Sequence, residues 1–442
     1  MNISKTFCVI PWIHFATDVK GFVDLCCEAS PYALSYNEKY LERNKELFGD
    51  DVNNIVHVDC MPLNLSNHSA SECWNSKYIK KSRLLFLDGK MPVHCLKCFE
   101  KERYGFSSRR LSHTIRWTRI LGERKINEIV GRTRKDGSIP FEIYYTDLRF
   151  GDSCNLRCLM CYPREMLERK IEKEEIGGVP NPQVEWRNET DWFKNKRLLD
   201  DIVNQASTTI MYSFAGGEPL INKSCNYVVE KVSQLCELNK NISLRYVTNG
   251  TVITDKHFEI WSRVPKVHLL VSVDGVDKKN KYMRFPSSWS KFVENLHRLD
   301  NSRDNIVVNL NATVNAVSML YIPDLIKWVM KQNFRKIGSG SSLMFTHILV
   351  TPEYLNPKVL TTSLKRRITK KYQELFLWLA EEYKITEDNW NVREMRSQLE
   401  YMNSEDWTHK LTEFRHLINI FDKVRGTNFR ETFPELRELL DE

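Results

Sequence analysis

The chain has 442 residues, with 65 Lys and Arg beside 57 Asp and Glu and a formal net charge of +8. That length accommodates two or three domains with full cores. A charge so nearly balanced describes a mixed, solvated surface, still compatible with a basic cleft for an anionic ligand, and argues against a nucleic-acid stripe. No apolar run approaches the roughly 18 residues that cross a bilayer, so no membrane partner is expected.

The amino terminus, "MNISKTFCVIPWIHFATD", is broken by Pro11 and His14 and lacks a basic leader and a cleavage site, so it does not read as a signal peptide. A cytoplasmic location is the expectation. In a reducing compartment twelve cysteines suit metals better than disulfides. Seven of the twelve lie in residues 1–115, a first predicted domain of short strands, loops and helical pieces. Cys8 is followed by twelve residues, Gly21, four residues and Cys26, with Cys27 adjacent. "HCLKC" adds Cys95 and Cys98. A β-hairpin with Cys8 and Cys26 at its base, closed by that knuckle, offers four thiolates for either zinc or an iron–sulfur cluster. Cys27 can replace Cys26 or complete an open site. His14 and His94 are near enough in sequence to ligate, though packing is the commoner role for such residues. Cys60, Cys73, Cys225 and Cys236 stand alone and read as small hydrophobes.

Residues 116–140 are basic and polar and read as a connector with some helix. From 141 to 350 the pattern is strand, loop, helix, repeated. The strands are predicted at 141–150, 209–217, 243–250, 267–275, 306–314 and 343–350, with helical stretches between them. In "SWSKFVENLHRL", Trp289, Phe292, Val293 and Leu296 recur on one face behind Ser287 and Ser288 as N-caps. Strands alternating with helices make a parallel sheet of right-handed crossovers. Six such units predict an α/β fold, a partial (β/α)6 barrel. Several strands end in polar or glycine-bearing clusters, "AGGEP", "TNG" and "VDG", and the carboxyl ends of parallel strands are where ligands sit. The insert at 163–208, with "GGVPNP", reads either as part of a substrate lid or as a surface excursion. After 351 come long amphipathic helices, "SLKRRITKKYQELFLWLAEEYK" and "SEDWTHKLTEFRHLINIFDKVRG", whose apolar stripes read as core in a carboxyl-terminal helical region, 351–442.

Directly after the first barrel strand, "GDSCNLRCLMCYPRE" places Cys154, Cys158 and Cys161 on one loop. A structural zinc site would want a fourth ligand near by, and the next cysteine is Cys225. Three thiolates suit a cubane of four irons with one iron open, and an open iron can bind a substrate or cofactor directly.

This spacing resembles the signature of the radical S-adenosylmethionine (radical SAM) superfamily. The resemblance implies a 4Fe-4S cluster whose free iron chelates the amino and carboxylate groups of S-adenosylmethionine. It also implies an electron donor such as a flavodoxin or ferredoxin, and reductive cleavage to methionine and a 5′-deoxyadenosyl radical that removes hydrogen from a substrate. Gly216, Gly217, Glu218 and Pro219 are similar to the family's element for the methionine amino group. Thr248 and Asn249 of "TNG", and Ser272 and Asp274 of "VSVDG", are similar to segments that contact the ribose and the methionine carboxylate. The residue before the third cysteine, commonly aromatic in the family, is Met160 here, with Tyr162 after Cys161 as the candidate for adenine packing. No clean copy of the glycine-rich element after strand five occurs at 309–315.

The spacing of Cys8, Gly21 and Cys26 looks like the opening of the auxiliary-cluster modules called SPASM and twitch domains, here preceding the barrel. By that likeness Cys8, Cys26, Cys95 and Cys98 hold an auxiliary iron–sulfur cluster, and the expected substrate is a peptide or protein. Sugars, nucleotides and other small molecules form the second expectation. Two other classes stay open, a zinc-bearing scaffold or nucleic-acid binder, and a barrel that has lost turnover. No catalytic acid or base is identifiable from the sequence.

Overall fold

A computed structural model describes residues 5–29, 42, 45–103, 107–161, 191–237, 239–338 and 343–441. Each of the six predicted strand segments forms a strand: β3 at Tyr145–Arg149, β4 at Met211–Ala215, β5 at Ser243–Thr248, β6 at Lys266–Ser272, β7 at Ile306–Val314 and β8 at Phe345–Ile348. Among the short strands that precede them are β1 at His14–Thr17 and β2 at Val23–Asp24. The chain divides into two compact units, one of Met1–Gly151, Asn181–Gly216 and Lys223–Leu244, the other of Asp152–Pro180, Gly217–Asn222 and Arg245–Glu442. Among the described residues no helix is long and apolar enough to cross a membrane.

In the first unit the strand order is β4-β3-β1-β2. β1 turns back on β2 in an antiparallel hairpin and pairs in parallel with β3, which pairs in parallel with β4. Register places His14 beside Tyr145 and Met211, and Ala16 beside Asp147 and Ser213. Because side chains alternate across a strand, these residues share one face. The helix Arg109–Leu121 covers that face, with Trp117 against Tyr145 at 5.5 Å and Arg116 reaching the Met211 sulfur at 3.7 Å. The opposite face is apolar and sealed, with Phe15, Leu148, Tyr212 and Phe214 all buried.

Two expectations for this region need correcting. The hairpin does not reach Cys8, because Ile10–Ile13, with Pro11 in its first turn, is a helical turn and β1 begins only at His14. Proline pre-sets the helical φ and lacks the amide that a ladder would use. The connector is more helical than its composition suggested, since Arg109–Leu121 and Glu123–Gly131 run nearly end to end, the first capped by Ser108 accepting from the Leu111 amide at 3.1 Å.

Arg83 holds this unit's loops together. It is fully buried and donates to the carbonyls of Pro11 (2.8 Å), Trp74 (3.0 Å) and Gly137 (3.2 Å) and to Asn75 Oδ1 (2.9 Å). A buried charge is tolerable only with such saturation. Burial lowers its pKa to about 9.

In the second unit the order is β8-β7-β6-β5, with β7 parallel to both β6 and β8. Val267, Leu269 and Val271 alternate into the core, as do Ile306, Val308, Leu310 and Ala312, whereas His268, Leu270 and Asn309 on the other face are half-buried. The helix Trp289–Asp300 starts on Ser288, which accepts from the Lys291 amide at 3.4 Å, and buries Phe292, Leu296 and Leu299. The three longest carboxyl-terminal helices are Thr362–Tyr383, Trp390–Asn403 and Leu411–Arg425. The helix expected from 404 begins only at Leu411. Ahead of it Asp406 Oδ1 accepts from the Thr408 amide at 2.9 Å and Glu405 from Trp407 Nε1 at 2.8 Å, side-chain bonds that compete with helical ones. Cys73, Cys225 and Cys236 are buried as expected of small hydrophobes, and Cys60 is half-buried.

His14 is buried at 3% exposure and bonds the Leu25 carbonyl through Nδ1 at 2.9 Å. Burial pushes its pKa down to about 4, against the opposing pull of Asp147. The neutral imidazole therefore contributes stability that is complete above about pH 6.5 and lost as pH falls toward 4, up to about 3 kcal/mol. Urea unfolding across that interval should show a shallower pH slope in His14→Asn than in the wild type; equal slopes would contradict the assignment.

Candidate metal centres

In the second unit, the loop carrying Cys154, Cys158 and Cys161 is built around its own sulfur atoms. Cys154, Leu156 and Cys158 form a buried cluster against which Met160 and Cys161 pack. The turn is held by the Cys161 amide on the Cys158 carbonyl at 3.2 Å, and by a two-residue antiparallel ladder that sets Cys158 opposite Arg284 and Arg157 opposite Phe285. The sulfurs are met by donors: the Leu156 amide (3.4 Å) and Asn249 Nδ2 (3.8 Å) at Cys154, and the Arg284 guanidinium (3.8 Å) at Cys158. Burial raises the Cys154 thiol to about 12. Free thiols here are protonated, and a metal must displace those protons.

The "GGEP" turn fits against this loop by backbone. A Cβ on Gly217 would lie 2.0 Å from the Ser153 carbonyl oxygen, so only glycine fits without displacing the loop. The Glu218 amide donates to that same oxygen at 2.8 Å. The Glu218 carboxylate is buried, and burial raises its pKa. It accepts from Thr248 Oγ1 (2.7 Å), the Asn249 amide (2.7 Å) and the Leu220 amide (3.1 Å), which brackets the end of β5. Asn249 goes on to donate to Asn155 Oδ1 at 2.9 Å and accepts from the Thr251 amide at 2.9 Å. Pro219 is buried at the head of a short 3-10 turn. In the first unit, Gly216 has φ +112° and faces the Gly151 carbonyl oxygen, 2.8 Å from where a Cβ would sit.

At the end of β6, Ser272 and Asp274 are buried. Asp274 accepts from the Thr313 amide at 2.7 Å and pairs with Arg284 at 2.7 Å, while its own amide donates to Asn280 Oδ1 at 3.1 Å. The structure therefore gathers Cys154, Cys158, Cys161, Gly217, Glu218, Thr248, Asn249 and Asp274 in one unit. Tyr162, and the "GGVPNP" part of the insert, lie outside the described residues. The sequence reading missed Arg284, Asn155 and Asn280. A charged side chain inside the apolar "YMRFP" was the one available signal for Arg284.

In the first unit, Cys8, Cys26, Cys95 and Cys98 line a single cavity together with Arg109 and Arg110. Cys95 ends a 3-10 turn and Cys98 sits in the helix Leu96–Arg103. The Ile10 and Arg110 amides bond the sulfurs of Cys8 and Cys98. Arg110 spans the cavity's walls, donating to the Phe7 carbonyl (2.7 Å), the Lys5 carbonyl (3.1 Å) and Glu102 Oε1 (3.0 Å). Burial pushes the Cys8 thiol up to about 12 and raises Cys26, Cys95 and Cys98. Cys27 is exposed and does not line the cavity. His14 bonds Leu25, and His94 Nε2 bonds Ser82 at 3.2 Å. Among the described residues no three Cys, His, Asp or Glu side chains are drawn together as tightly as one metal ion requires.

Residues 148–329 match the family described as the Radical SAM superfamily, so this part of the chain is a radical SAM domain. The family implies a 4Fe-4S cluster and S-adenosylmethionine, and a three-thiol loop with Cys154 and Cys158 buried among amide, carboxamide and guanidinium donors fits the cluster. Among curated proteins the chain is similar to Fe-coproporphyrin III synthase of Methanosarcina barkeri, 24% identical over 202 residues, 43% of this chain and 44% of that protein. It is also similar to an uncharacterized protein of Methanocaldococcus jannaschii, 21% identical, covering 43% of this chain and 60% of that one. The chain thus spans about half the length of these relatives. Solved structures that resemble it include anSMEcpe with bound AdoMet, 16% identical with TM-score 0.39 over 55% of this chain and 62% of that one. Another is SuiB of Streptococcus suis bound to S-adenosylmethionine, 13% identical with TM-score 0.36 over 73% of this chain and 67% of that one.

Gly217→Ala must push the 152–153 backbone away, costing about 1–3 kcal/mol. Thermal unfolding of the metal-free protein should register that loss, and reconstitution should yield less bound iron. An unchanged melting temperature together with full iron would show that the contact is soft.

Proposed function

We propose that the chain is a radical SAM enzyme in which Cys154, Cys158 and Cys161 hold the 4Fe-4S cluster and Cys8, Cys26, Cys95 and Cys98 hold an auxiliary iron–sulfur cluster. The observation that carries this reading is the three-thiol loop itself, with Cys154 and Cys158 buried and met at their sulfurs by Asn249, the Leu156 amide and Arg284, and Cys161 half-buried beside them. When bound, the cluster and S-adenosylmethionine supply one-electron cleavage of a carbon–sulfur bond, giving methionine and a 5′-deoxyadenosyl radical that takes a hydrogen atom from the substrate. A flavodoxin or ferredoxin is the electron donor that chemistry calls for, in the reducing cytoplasm.

The chain's own residues bind, orient and exclude water. Hydrogen bonds to the Cys154 sulfur and the cation beside Cys158 offset the cost of holding thiolates out of solvent. Gly216 and Gly217 let the backbone close on the Gly151 and Ser153 carbonyls respectively, and Glu218 fixes the end of β5, so that Thr248 and Asn249 are preorganised for the nucleotide. Ser272 and Asp274 complete the set, with Asp274 held by Arg284. Tyr162 is the proposed adenine contact.

The substrate is a peptide or protein in this reading, supported by the four thiols around one cavity, a pairing of centres that resembles module-bearing peptide modifiers. A small-molecule substrate is the second reading, favoured by the similarity to a protein named Fe-coproporphyrin III synthase. A zinc scaffold is the reading from another class.

Anaerobic reconstitution of the wild type should yield iron and acid-labile sulfide for two clusters, with roughly half remaining in either Cys158→Ala or Cys98→Ala. Under dithionite with S-adenosylmethionine, Cys158→Ala should produce no 5′-deoxyadenosine while Cys98→Ala still does. Zinc without sulfide, or equal loss of cleavage in both variants with folding intact, would overturn the division.

A further inference from the structure

In the first unit, two neighbouring arginines on the wall of the four-thiol cavity are used differently. Arg110 is consumed by Glu102 and by the carbonyls of Lys5 and Phe7. Arg109, the next residue on the same helix, has no such saturation. Its closest carboxylate, Asp147, stands at 3.9 Å, beyond hydrogen-bond range, and among the described residues its buried Nε has no hydrogen-bond partner. Asp147 is itself only 4% exposed, and its Oδ1, 4.0 Å from Arg149 Nε, has no hydrogen-bond partner among the described residues. A buried carboxylate left at arm's length from its partly exposed guanidinium is costly, and such pairs normally close to contact or are replaced. The arrangement is balanced once a further negative charge occupies the cavity that Arg109 lines.

Four thiolates around a cubane with a 2+ core carry a net charge of 2−, which becomes 3− on reduction. A fixed cation at the wall favours the reduced form, and a carboxylate behind it weakens that preference. Resting on the proposed auxiliary cluster, we infer that Arg109 is a positioning residue that raises the reduction potential of the cluster bound by Cys8, Cys26, Cys95 and Cys98, with Asp147 as its counterweight. Asp147 lies on the same strand face as His14 and Tyr145, so the sheet's register holds the cation's counterweight in place.

The test uses the full chain carrying Cys158→Ala, reconstituted anaerobically, so that the remaining signal is the auxiliary cluster's. In an EPR-monitored redox titration, Arg109→Met should make reduction harder by about tenfold in its equilibrium constant, and Asp147→Asn should make it easier by a similar factor. Arg109→Lys should stay near the parent. Opposite shifts at equal iron content cannot come from loosened packing, which would move both variants alike. Potentials unchanged in both variants, with the cluster present, would overturn this inference alone. A parent that holds no iron would remove the auxiliary cluster and this inference with it, while leaving the three-thiol reading standing.

Discussion

Setting sulfur beside polar donors in places from which water has been taken is the constraint that both units share. A buried thiol resists losing its proton, and here burial raises the thiols of Cys8 and Cys154 alike to about 12. Compensation arrives from outside the cysteine segments, through backbone amides, a carboxamide and guanidinium groups aimed at the sulfurs. In the second unit the donors are the Leu156 amide, Asn249 and Arg284; in the first they are the Ile10 and Arg110 amides with Arg109 close by. A thiol cluster without such donors would be an apolar core rather than a ligand set.

The same constraint explains how rigidly the surroundings are tied. Glu218 meets three donors from two chain segments and so couples the "GGEP" turn to the end of β5. Asp274 meets the Thr313 amide and Arg284, joining the end of β6 to β7 and to the cysteine loop's own ladder. In the first unit Arg83 and Arg110 do comparable work, one closing loops around Pro11, the other linking the chain ahead of Cys8 to the helix that carries Cys98. Glu218, Arg83 and Arg110 are each held by several hydrogen bonds, whereas Arg109 Nε and Asp147 Oδ1 have none among the described residues. Asp147 is buried and Arg109 only partly so, and the two opposite charges are not in contact.

Much of the site was legible in the primary structure because its parts are local. Three thiols within one loop, a double glycine before a glutamate, and polar residues at strand ends are patterns of neighbouring residues, and the alternation of Val267, Leu269 and Val271 or of Ile306, Val308 and Leu310 marks the strands that deliver them. The helix at 390–403 and the late start at Leu411 were harder to see, because side-chain bonds at Glu405 and Asp406 broke a pattern whose apolar period ran on. The helical turn at Ile10–Ile13 was concealed for a related reason, four apolar residues being equally good as strand or turn until Pro11 is considered.

By itself the sequence determined the strand segments and the cysteine spacing, since these follow from periodicity and ligand chemistry, whereas the glycine at position 217 is required by the distant Ser153 carbonyl. Only the tertiary structure decided which distant groups face the sulfurs. Arg284 stands 126 residues from Cys158, and Asn249 stands 95 from Cys154. Contacts at that separation are chosen by strand register and loop closure, and a hydrogen bond across so long a loop leaves no trace in the spacing of neighbouring residues.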